Sequence, residues 1–370
     1  MATQNLKVLL IGGYGFFGRR LTTLLLRNPH VSLVLAGRRV PPAPDNDGAL
    51  PRVSSMRLDV SSESFASELA CIGADVVVHL AGPFQAQDYR VAQACIAAKC
   101  HYLDLADGRD FVDGISQLDA KAKDAGVMVL SGVSTLPALS GAAIDQLGRT
   151  FSDVSSIDMG ISPGNKTDRG RATVAAVLGY CGEPIQVWRH GGWTHEFGWC
   201  AQAAHDYPAP VGRRWLSLCD VPDLVIQPAR HRSVRSVTFR AGQELPVLHF
   251  GLAALSWLRR WRLLPNLSRF APALHWASEL LLPFGSDAGA MHVELAGTDQ
   301  DGQAGRRRWT IVAERNDGPF IPTLAAAIVR KLTEGQLDIR GAKPCCGVLQ
   351  LEDFRREWAG LAVRDHEEAL

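Results

Sequence analysis

The sequence predicts an α/β protein in which a doubly wound parallel sheet of the Rossmann type is followed by a second, α+β domain. The first 132 residues alternate between short apolar strand patterns and helix patterns, and beyond Gly132 this alternation stops. The chain has 370 residues, which is long for a single hydrophobic core. A hydrophobic fraction of 46% is typical of a folded protein, and a net charge of +1 gives no general attraction to nucleic acid.

The first domain is predicted to contain six parallel strands and to span residues 1–132. The segment Ala74–Leu80 is almost entirely apolar, as expected for a strand that is buried on both faces. A helix between successive strands requires a crossover connection, which is right-handed and makes the strands parallel. The predicted strands are Lys7–Ile11, Ser32–Ala36, Met56–Val60, Ala74–Leu80, His101–Leu105 and Val127–Ser131.

A second domain of α+β type is predicted over residues 133–320. Tryptophans become frequent there, and strands such as Ser236–Arg240 alternate in polarity. Met291–Gly297 and Arg308–Glu314 are joined by a turn-rich segment and predict a hairpin with one solvated face. Two closing helices are predicted at Ile321–Leu332 and Leu351–Trp358.

Targeting signals and cysteines indicate a cytoplasmic protein with free thiols. The N-terminal residues lack the basic start and long apolar stretch of a signal peptide, and the eight cysteines contain no C-x-x-C pair. Leu245–Phe284 is the one segment that raises the question of a membrane. Its longest charge-free part, Leu245–Leu258, is shorter than the roughly 20 residues of a membrane span. A lid or buried helix is the favoured interpretation, and an interfacial helix beside arginines is the alternative.

The glycine-rich turn after the first strand predicts a dinucleotide site. Residues Gly13 to Gly18 form a G-x-G-x-x-G pattern that follows a strand and opens a helix. Gly13 permits the tight turn, Gly15 lets a pyrophosphate approach the backbone, and the helix N-terminus supplies free N–H donors. A purely structural turn is the alternative. The predicted contact residues of this turn are Gly13, Tyr14, Gly15, Phe16, Phe17 and Gly18.

The end of the second strand indicates which dinucleotide is bound. NAD sites usually carry Asp or Glu here, about 20 residues beyond the glycines, whereas this chain has Arg38 and Arg39. Guanidinium groups provide planar, bidentate donors for a 2′-phosphate. We therefore predict NADP as the cofactor, with a solvated basic turn as the alternative.

Two further turns follow strands at the same predicted edge of the sheet, where such folds bind ligands. Asp59 and Val60 are placed to contact the adenine. Ala81, Gly82 and Pro83 would bring small residues and backbone against the phosphate and the nicotinamide ribose. Each turn alone is common, and their joint placement supports both.

These motifs resemble the saccharopine dehydrogenase-like oxidoreductases over about the first 145 residues. The resemblance lies in Gly-Gly-Tyr-Gly-Phe-Phe-Gly (12–18), Ala-Gly-Arg (36–38), Ala-Gly-Pro-Phe (81–84) and the set Ala-Cys (94–95) with His-Tyr-Leu-Asp-Leu (101–105). It implies an NADP-binding domain, an inserted α+β domain for substrate and dimerisation, and a C-terminal segment, residues 321–370, that returns to the first domain. It also implies reduction of an imine or an enoyl group, and a homodimer.

Several residues of the first domain are candidate proton donors. Asp107 and His79 are candidates because both lie near the carboxyl ends of strands, as do His101 and Asp104. His79 is expected within a strand, where a core histidine is the first interpretation, and the two aspartates could equally cap a helix.

The second domain offers further candidates. His190 lies in the segment Arg189–Gly192, and His195–Glu196 follows it. Lys166, Arg169 and Arg171 could bind a substrate carboxylate, with a solvated loop as the alternative. No H-E-x-x-H spacing, G-x-S-x-G or P-loop is present, so no metal site is predicted and hydrolase and kinase functions are excluded.

The function predicted from the sequence is an NADP-dependent oxidoreductase that moves hydride to or from a small organic acid, imine or acyl substrate. One alternative is a catalytically silent NADP-binding regulator, because Rossmann folds host both functions. Another is an enoyl reductase of lipids at a membrane surface, which rests on Leu245–Phe284 alone.

Overall fold

The computed structural model describes residues 4–41, 52–85, 87–167, 171–315 and 320–370, with backbone alone at 171–173 and 320–323. The chain divides into two compact units. The first contains the residues up to Leu139 together with Ile321–Ala359, and the second contains Ser140–Phe320 and Gly360–Leu370.

Strands and helices alternate through the N-terminal part of the chain. The strands there are β1 (Leu6–Ile11), β2 (Val31–Gly37), β3 (Val53–Arg57), β4 (Val76–His79), β5 (His101–Asp104) and β6 (Met128–Ser131). The helices are α1 (Phe16–Leu25), α2 (Phe65–Ile72), α3 (Arg90–Ala97), α4 (Arg109–Gly114) and α5 (Asp119–Asp124), with a 3-10 turn at Ile115–Leu118 and an irregular helical turn at Thr135–Leu139.

The rest of the chain is richer in strands. Its strands are β7 (Phe151–Ser162), β8 (Pro184–Arg189), β9 (Gly192–Phe197), β10 (Gln202–Tyr207), β11 (Gly212–Leu218), β12 (Ser236–Ala241), β13 (Gly289–Asp299), β14 (Ala304–Ala313), β15 (Gly341–Pro344) and β16 (Val363–Ala369). Its helices are α6 (Ser140–Gly148), α7 (Arg171–Tyr180), α8 (Asp223–Arg230), α9 (Pro246–Arg260), α10 (Ala271–Glu279), α11 (Phe320–Thr333) and α12 (Leu351–Trp358), with 3-10 turns at Leu267–Phe270 and Leu282–Phe284.

The first unit contains, among the described residues, a seven-stranded sheet of order β15-β6-β5-β4-β1-β2-β3. Every pairing in it is parallel. The order reverses between β1 and β4, which is the topological switch point where doubly wound sheets bind ligands. All four residues of β4 are buried, as its apolar sequence predicts. The predicted α/β fold class is confirmed.

The seventh strand of this sheet was not predicted. Gly341–Pro344 pairs in parallel with β6, from Gly341 opposite Met128 to Pro344 opposite Ser131. This segment has no apolar alternation, and its pairing is with a strand about two hundred residues earlier. Proline is compatible with such a position because β15 is an edge strand.

The second unit is built on a mixed sheet with β7 at its centre. Strand β7 pairs in parallel with β12 and antiparallel with β13, and β13 forms the predicted hairpin with β14. Side chains alternate along β7, since Ile157 and Met159 are buried while Asp158 between them is half-buried. Helix α6 contacts β7, β13 and β14 and covers one face of the sheet.

The last residues of the chain correct one expectation. Residues 321–370 were expected to return to the first domain, and α11, β15 and α12 do belong to the first unit. Strand β16, however, pairs antiparallel with β14 in the second unit, with Glu368 opposite Arg308. Its charged sequence lacks the apolar signal of an internal strand, and charged residues are typical of edge strands.

Candidate functional site

The turn between β1 and α1 is built around Gly12. Its φ of 85° lies in the left-handed region that favours glycine. Its N–H donates to the Ala36 carbonyl oxygen at 2.8 Å, and a Cβ at Gly12 would lie 3.1 Å from the backbone nitrogen of Ala81. The sequence assigned the tight turn to Gly13, whereas the structure places the positive φ one residue earlier. Gly12 therefore belongs to the site although the predicted motif began after it.

The N-terminus of α1 presents free backbone donors. Gly15 is its N-cap, without a capping side chain, and no acidic residue occupies the first turn. The amides of Phe16, Phe17 and Gly18 form the first helical turn and therefore have no intrahelical acceptor. Their donors and the helix dipole suit an anion.

Two glycines of the turn serve different purposes. A Cβ at Gly18 would lie 2.4 Å from the Gly13 carbonyl oxygen and 2.5 Å from that of Gly12, so Gly18 is required for helix packing. A Cβ at Gly15 would meet only the Gly12 carbonyl oxygen, at 3.2 Å, and otherwise open space. Gly15 therefore leaves room for a ligand.

The end of β2 lies beside this turn. The Tyr14 hydroxyl donates to the Leu35 carbonyl oxygen at 3.0 Å, and a Cβ at Gly37 would lie 3.2 Å from the Tyr14 ring. Arg38 and Arg39 follow at once, and both are exposed. Within the described ranges neither guanidinium group makes an ion pair or a hydrogen bond.

A third arginine at this position was missed by the sequence argument. Arg57, the last residue of β3, lies in register with Gly37 across the β2–β3 pair and is exposed. Only the register of two strands, which the sequence alone did not supply, reveals its proximity to Arg38. The three arginines 38, 39 and 57 are called the basic cluster below.

Beyond Arg57 the chain makes the turn predicted to contact adenine. The Asp59 carboxylate accepts the Ser61 N–H at 3.0 Å, so it stabilises its own turn. Val60 is half-buried and packs against the apolar core of the first unit. The backbone of this turn continues from Leu58, whose N–H donates to the Gly37 carbonyl oxygen at 3.1 Å.

The Gln87 side chain stabilises the turn after β4. The Gln87 amide donates to the carbonyl oxygens of Ala81 and Pro83, both at 2.8 Å. Gly82 and Pro83 are exposed, and Phe84 is buried against His79. Since Gly12 closely approaches Ala81, this turn and the glycine-rich turn lie side by side at the switch point.

Below these turns lies a buried polar network. His79 is 1% exposed, and its Nδ1 lies 3.2 Å from the Tyr102 hydroxyl. Asp104 is fully buried, and its Oδ1 accepts hydrogen bonds from the amides of Ala106 and Gly132 and from the Ser131 hydroxyl. Burial lowers the pKa of His79 to about 4 and raises the pKa of Asp104 to about 6.

This network ties the loops after β5 and β6 together. Asp104 lies at the end of β5, and Ser131 and Gly132 at the end of β6, so one carboxylate sets the spacing of two loops. His79 is a buried neutral imidazole, as the core interpretation expected. In the described part of the chain, Oδ2 of Asp104 has no hydrogen-bond partner.

The remaining candidates of the first unit lie apart from each other. Asp107 is exposed in the loop after β5 and accepts a hydrogen bond from Gln85 at 3.1 Å. His101 was placed near a strand's carboxyl end, but it begins β5 and therefore lies at the opposite edge of the sheet. Its Nδ1 accepts the Met128 N–H at 3.0 Å, and burial lowers its pKa.

The candidate histidines of the second unit lie on a hairpin. His190 and Gly191 form the turn between β8 and β9, and both have positive φ, 54° and 80°. The exposed His190 side chain makes no hydrogen bond within the described residues, so turn geometry explains its place. His195 is exposed on β9, and Glu196 forms an ion pair with Arg189 at 3.9 Å.

The basic loop after β7 is anchored by a carboxylate. Glu244 accepts the Asn165 N–H at 2.6 Å and the Ser286 N–H at 2.8 Å, and the Lys166 N–H donates to the Ser286 carbonyl oxygen. The Lys166 side chain is exposed. Arg169 lies outside the described residues, and Arg171 begins α7 with its side chain outside them.

These features define a dinucleotide-binding domain of Rossmann type. Comparison with protein families shows that residues 8–130 match the saccharopine dehydrogenase NADP binding domain. This match confirms the resemblance noted from the motifs and a nicotinamide dinucleotide as the cofactor. The match covers about a third of the chain, so it characterises the N-terminal domain alone.

Solved structures resemble the chain over its whole length. Saccharopine dehydrogenase (L-Glu forming) from Saccharomyces cerevisiae has a TM-score of 0.67 at 13% identity, covering 99% of this chain and 100% of that one. Homospermidine synthase from Legionella pneumophila, in complex with NAD, has a TM-score of 0.64 at 10% identity, covering 100% and 92%. At these identities the likeness concerns the fold. A search of curated protein sequences found no significant match.

Two absences complete the description. Nowhere in the described ranges do His, Cys, Asp and Glu side chains cluster as a metal site requires. None of the helices described above has the length and apolar character needed to cross a membrane.

Proposed function

We propose that the chain is an NADP-dependent oxidoreductase that transfers hydride to or from a small organic acid, imine or acyl substrate. The observation that carries the choice of NADP is the basic cluster. Arg38 and Arg39 are exposed at the end of β2, without ion-pair partners in the described residues, at the position where NAD sites usually carry a carboxylate. Unpaired guanidinium groups attract a 2′-phosphate.

Different residues of the first unit contact different parts of the cofactor. The free amides at the start of α1 hold the pyrophosphate, and the open side of Gly15 lets it approach the backbone. The turn at Asp59 and Val60 lies against the adenine, and the backbone from Ala81 to Pro83 lies against the nicotinamide ribose. When bound, the nicotinamide supplies or accepts the hydride.

The substrate is proposed to carry an acidic group. The exposed Lys166 and the neighbouring Arg169 and Arg171 support a carboxylate as the group recognised. Asp107, exposed in the loop after β5, is the proposed proton donor or acceptor of the first unit, because His79 is buried and neutral. The resemblance also supports a homodimer, which sedimentation of the purified chain tests.

Calorimetry with NADPH and NADH tests the cofactor. The wild-type chain should bind NADPH more tightly than NADH, and Arg38→Ala/Arg39→Ala should weaken NADPH binding much more than NADH binding. Arg27→Ala is the matched control, since Arg27 is exposed at the other end of α1. Equal losses for both nucleotides would show that the arginines do not bind the 2′-phosphate, and no binding of either would remove the enzyme assignment.

Turnover separates the enzyme from a silent NADP-binding regulator. NADPH oxidation is followed by absorbance with keto acids, amino acid–aldehyde pairs and enoyl thioesters. Turnover that falls in Lys166→Ala and Asp107→Asn, with NADPH affinity unchanged, supports the proposal. Tight NADPH binding without turnover in any of the three classes favours the regulator.

A further inference from the structure

Exposed apolar side chains are concentrated in one segment of the second unit. Among the described residues, ten of the thirteen exposed large hydrophobic side chains lie between Val247 and Phe284. The most exposed are Phe284 at 74%, Leu263 at 67%, Val247 at 66%, Trp276 at 62% and Trp261 at 61%. Scattered exposed apolar residues are ordinary on proteins, but such a concentration marks an interaction surface.

Helix α9 exposes a row of large apolar side chains. Val247, Phe250, Leu258 and Trp261 recur at helical spacing along its exposed side. Its buried side carries the polar residues His249, Ser256 and Arg259 together with the apolar Leu252 and Ala253.

Most of these inward polar groups are hydrogen-bonded. The Ser256 hydroxyl donates to the Leu252 carbonyl oxygen, and Nε2 of His249 lies 3.1 Å from the Ser217 hydroxyl, while Nδ1 of His249 has no partner among the described residues. Arg259 donates to the carbonyl oxygens of Leu178, Gly179 and Cys181 and forms an ion pair with Glu183. The contacts of Arg259 thus fix which side of α9 faces inward. On the outward side the Phe250 ring packs against Trp215 and the Trp261 ring against Trp257, and both side chains still expose large apolar area.

The elements after α9 carry a second exposed apolar row. Helix α10 has no buried residue, and Trp276, Leu280 and Phe284 recur every four residues along it and the turn after it. Both α9, with 15 residues, and α10, with 9, are shorter than the roughly 20 residues that cross a bilayer. Elements of this length lie along a surface rather than span a membrane.

The charged residues of the segment indicate which kind of partner it binds. Arg260, Arg262 and Arg269 are exposed, and Glu279 is the sole acidic residue between positions 245 and 284. A second copy docked across a two-fold axis would bring two such arginine sets onto one interface with little opposite charge. Anionic lipid headgroups complement the arginines, and tryptophan favours the boundary between headgroups and acyl chains.

We propose that the exposed apolar side chains of α9, α10 and the turn to Phe284, called the apolar face below, bind the surface of an anionic lipid bilayer. The apolar rows enter the acyl boundary, and the three arginines contact lipid phosphates. The proposal is independent of the cofactor and of the reaction assigned above.

Sedimentation with vesicles tests it, using phosphatidylcholine vesicles with and without phosphatidylglycerol. The full-length chain should bind the anionic vesicles at least about tenfold more tightly than the neutral ones. Trp261→Ser/Trp276→Ser should reduce that binding by about tenfold or more. Trp193→Ser is the control, because Trp193 is exposed at 45% on β9, outside the segment.

A second variant keeps the test decisive if the tryptophan variant fails to fold. Arg262→Glu/Arg269→Glu should abolish the preference for anionic vesicles while leaving the circular dichroism spectrum unchanged. Absence of binding to either vesicle, equal binding to both, or unaltered binding of the Trp261→Ser/Trp276→Ser variant each overturns the proposal. A dimer that becomes a monomer in Trp261→Ser/Trp276→Ser, without vesicle binding, assigns the apolar face to a second copy instead.

Discussion

Arg57 at the end of β3 lies in register with Gly37 on β2, one residue before Arg38. This relationship extends the basic cluster across two strands, and it predicts that Arg57 contributes to NADPH affinity. Arg57→Ala should weaken NADPH binding by about fivefold, as expected for an exposed charge pair, and leave NADH binding unchanged. Calorimetry measures both, with Arg27→Ala as control. An equal loss of NADH affinity would place Arg57 outside the 2′-phosphate site.

The two glycines of the α1 turn should respond differently to alanine. In Gly18→Ala the new Cβ would lie 2.4 Å from a backbone oxygen, so unfolding free energy should fall by about 2 kcal/mol or more. In Gly15→Ala the only close atom is at 3.2 Å, so stability should change little while NADPH binding is lost. Urea denaturation and calorimetry together measure the contrast. Unchanged NADPH affinity in a folded Gly15→Ala protein contradicts the pyrophosphate assignment.

The six N-terminal strands and the glycine-rich turn were predictable because strand alternation and glycine spacing are local signals. The sequence could not identify Arg57 or Gly12 as it did Arg38, since register and backbone dihedral angles decide their roles. Strand β15 was missed because a four-residue edge strand carries no periodic signal and pairs with a distant segment. His190 is a candidate acid or base by residue type alone, whereas the structure places it, with a positive φ, in a hairpin turn.

The buried network of the first unit should give the stability a characteristic pH dependence. Because burial raises the pKa of Asp104 to about 6, the folded state binds a proton that the unfolded state has released above about pH 4. The contribution of Asp104 to stability therefore falls as the pH rises from about 4 to 6, by up to about 3 kcal/mol. His79 acts in the opposite sense, because its lowered pKa makes stability fall as the pH drops below its unfolded value near 6.5.

Asp104→Asn separates the two contributions. Because the variant lacks the ionisable carboxyl of Asp104, its unfolding free energy should rise more steeply with pH between about 4 and 6 than that of the wild-type protein. Urea denaturation followed by circular dichroism at several pH values gives the slopes. Identical slopes for variant and wild type over this range would show that Asp104 does not carry the raised pKa.

Glu244 should be a stability determinant of the second unit. Its carboxylate accepts hydrogen bonds from Asn165 and from the amide and hydroxyl of Ser286, and it lies 3.2 Å from Arg214. Burial acts to raise the pKa of Glu244, but these hydrogen bonds and the Arg214 charge outweigh it, so the pKa is lowered. A lowered carboxyl pKa stabilises the folded state above the unfolded pKa, and this stabilisation is lost as the pH falls.

Glu244→Gln should therefore lower unfolding free energy by about 2–4 kcal/mol at neutral pH, since Arg214 loses its charge partner and one acceptor oxygen becomes a donor. The difference from wild type should shrink as the pH falls below about 4, because the glutamate of the unfolded chain is then protonated while the folded one still holds its charge. Tryptophan fluorescence reports the transition, because eight of the nine tryptophans lie in the second unit. Glu367→Gln, at an exposed position of β16, is the control and should match wild type. A destabilisation that persists undiminished at low pH would mean that Glu244 acts through packing and not through its charge.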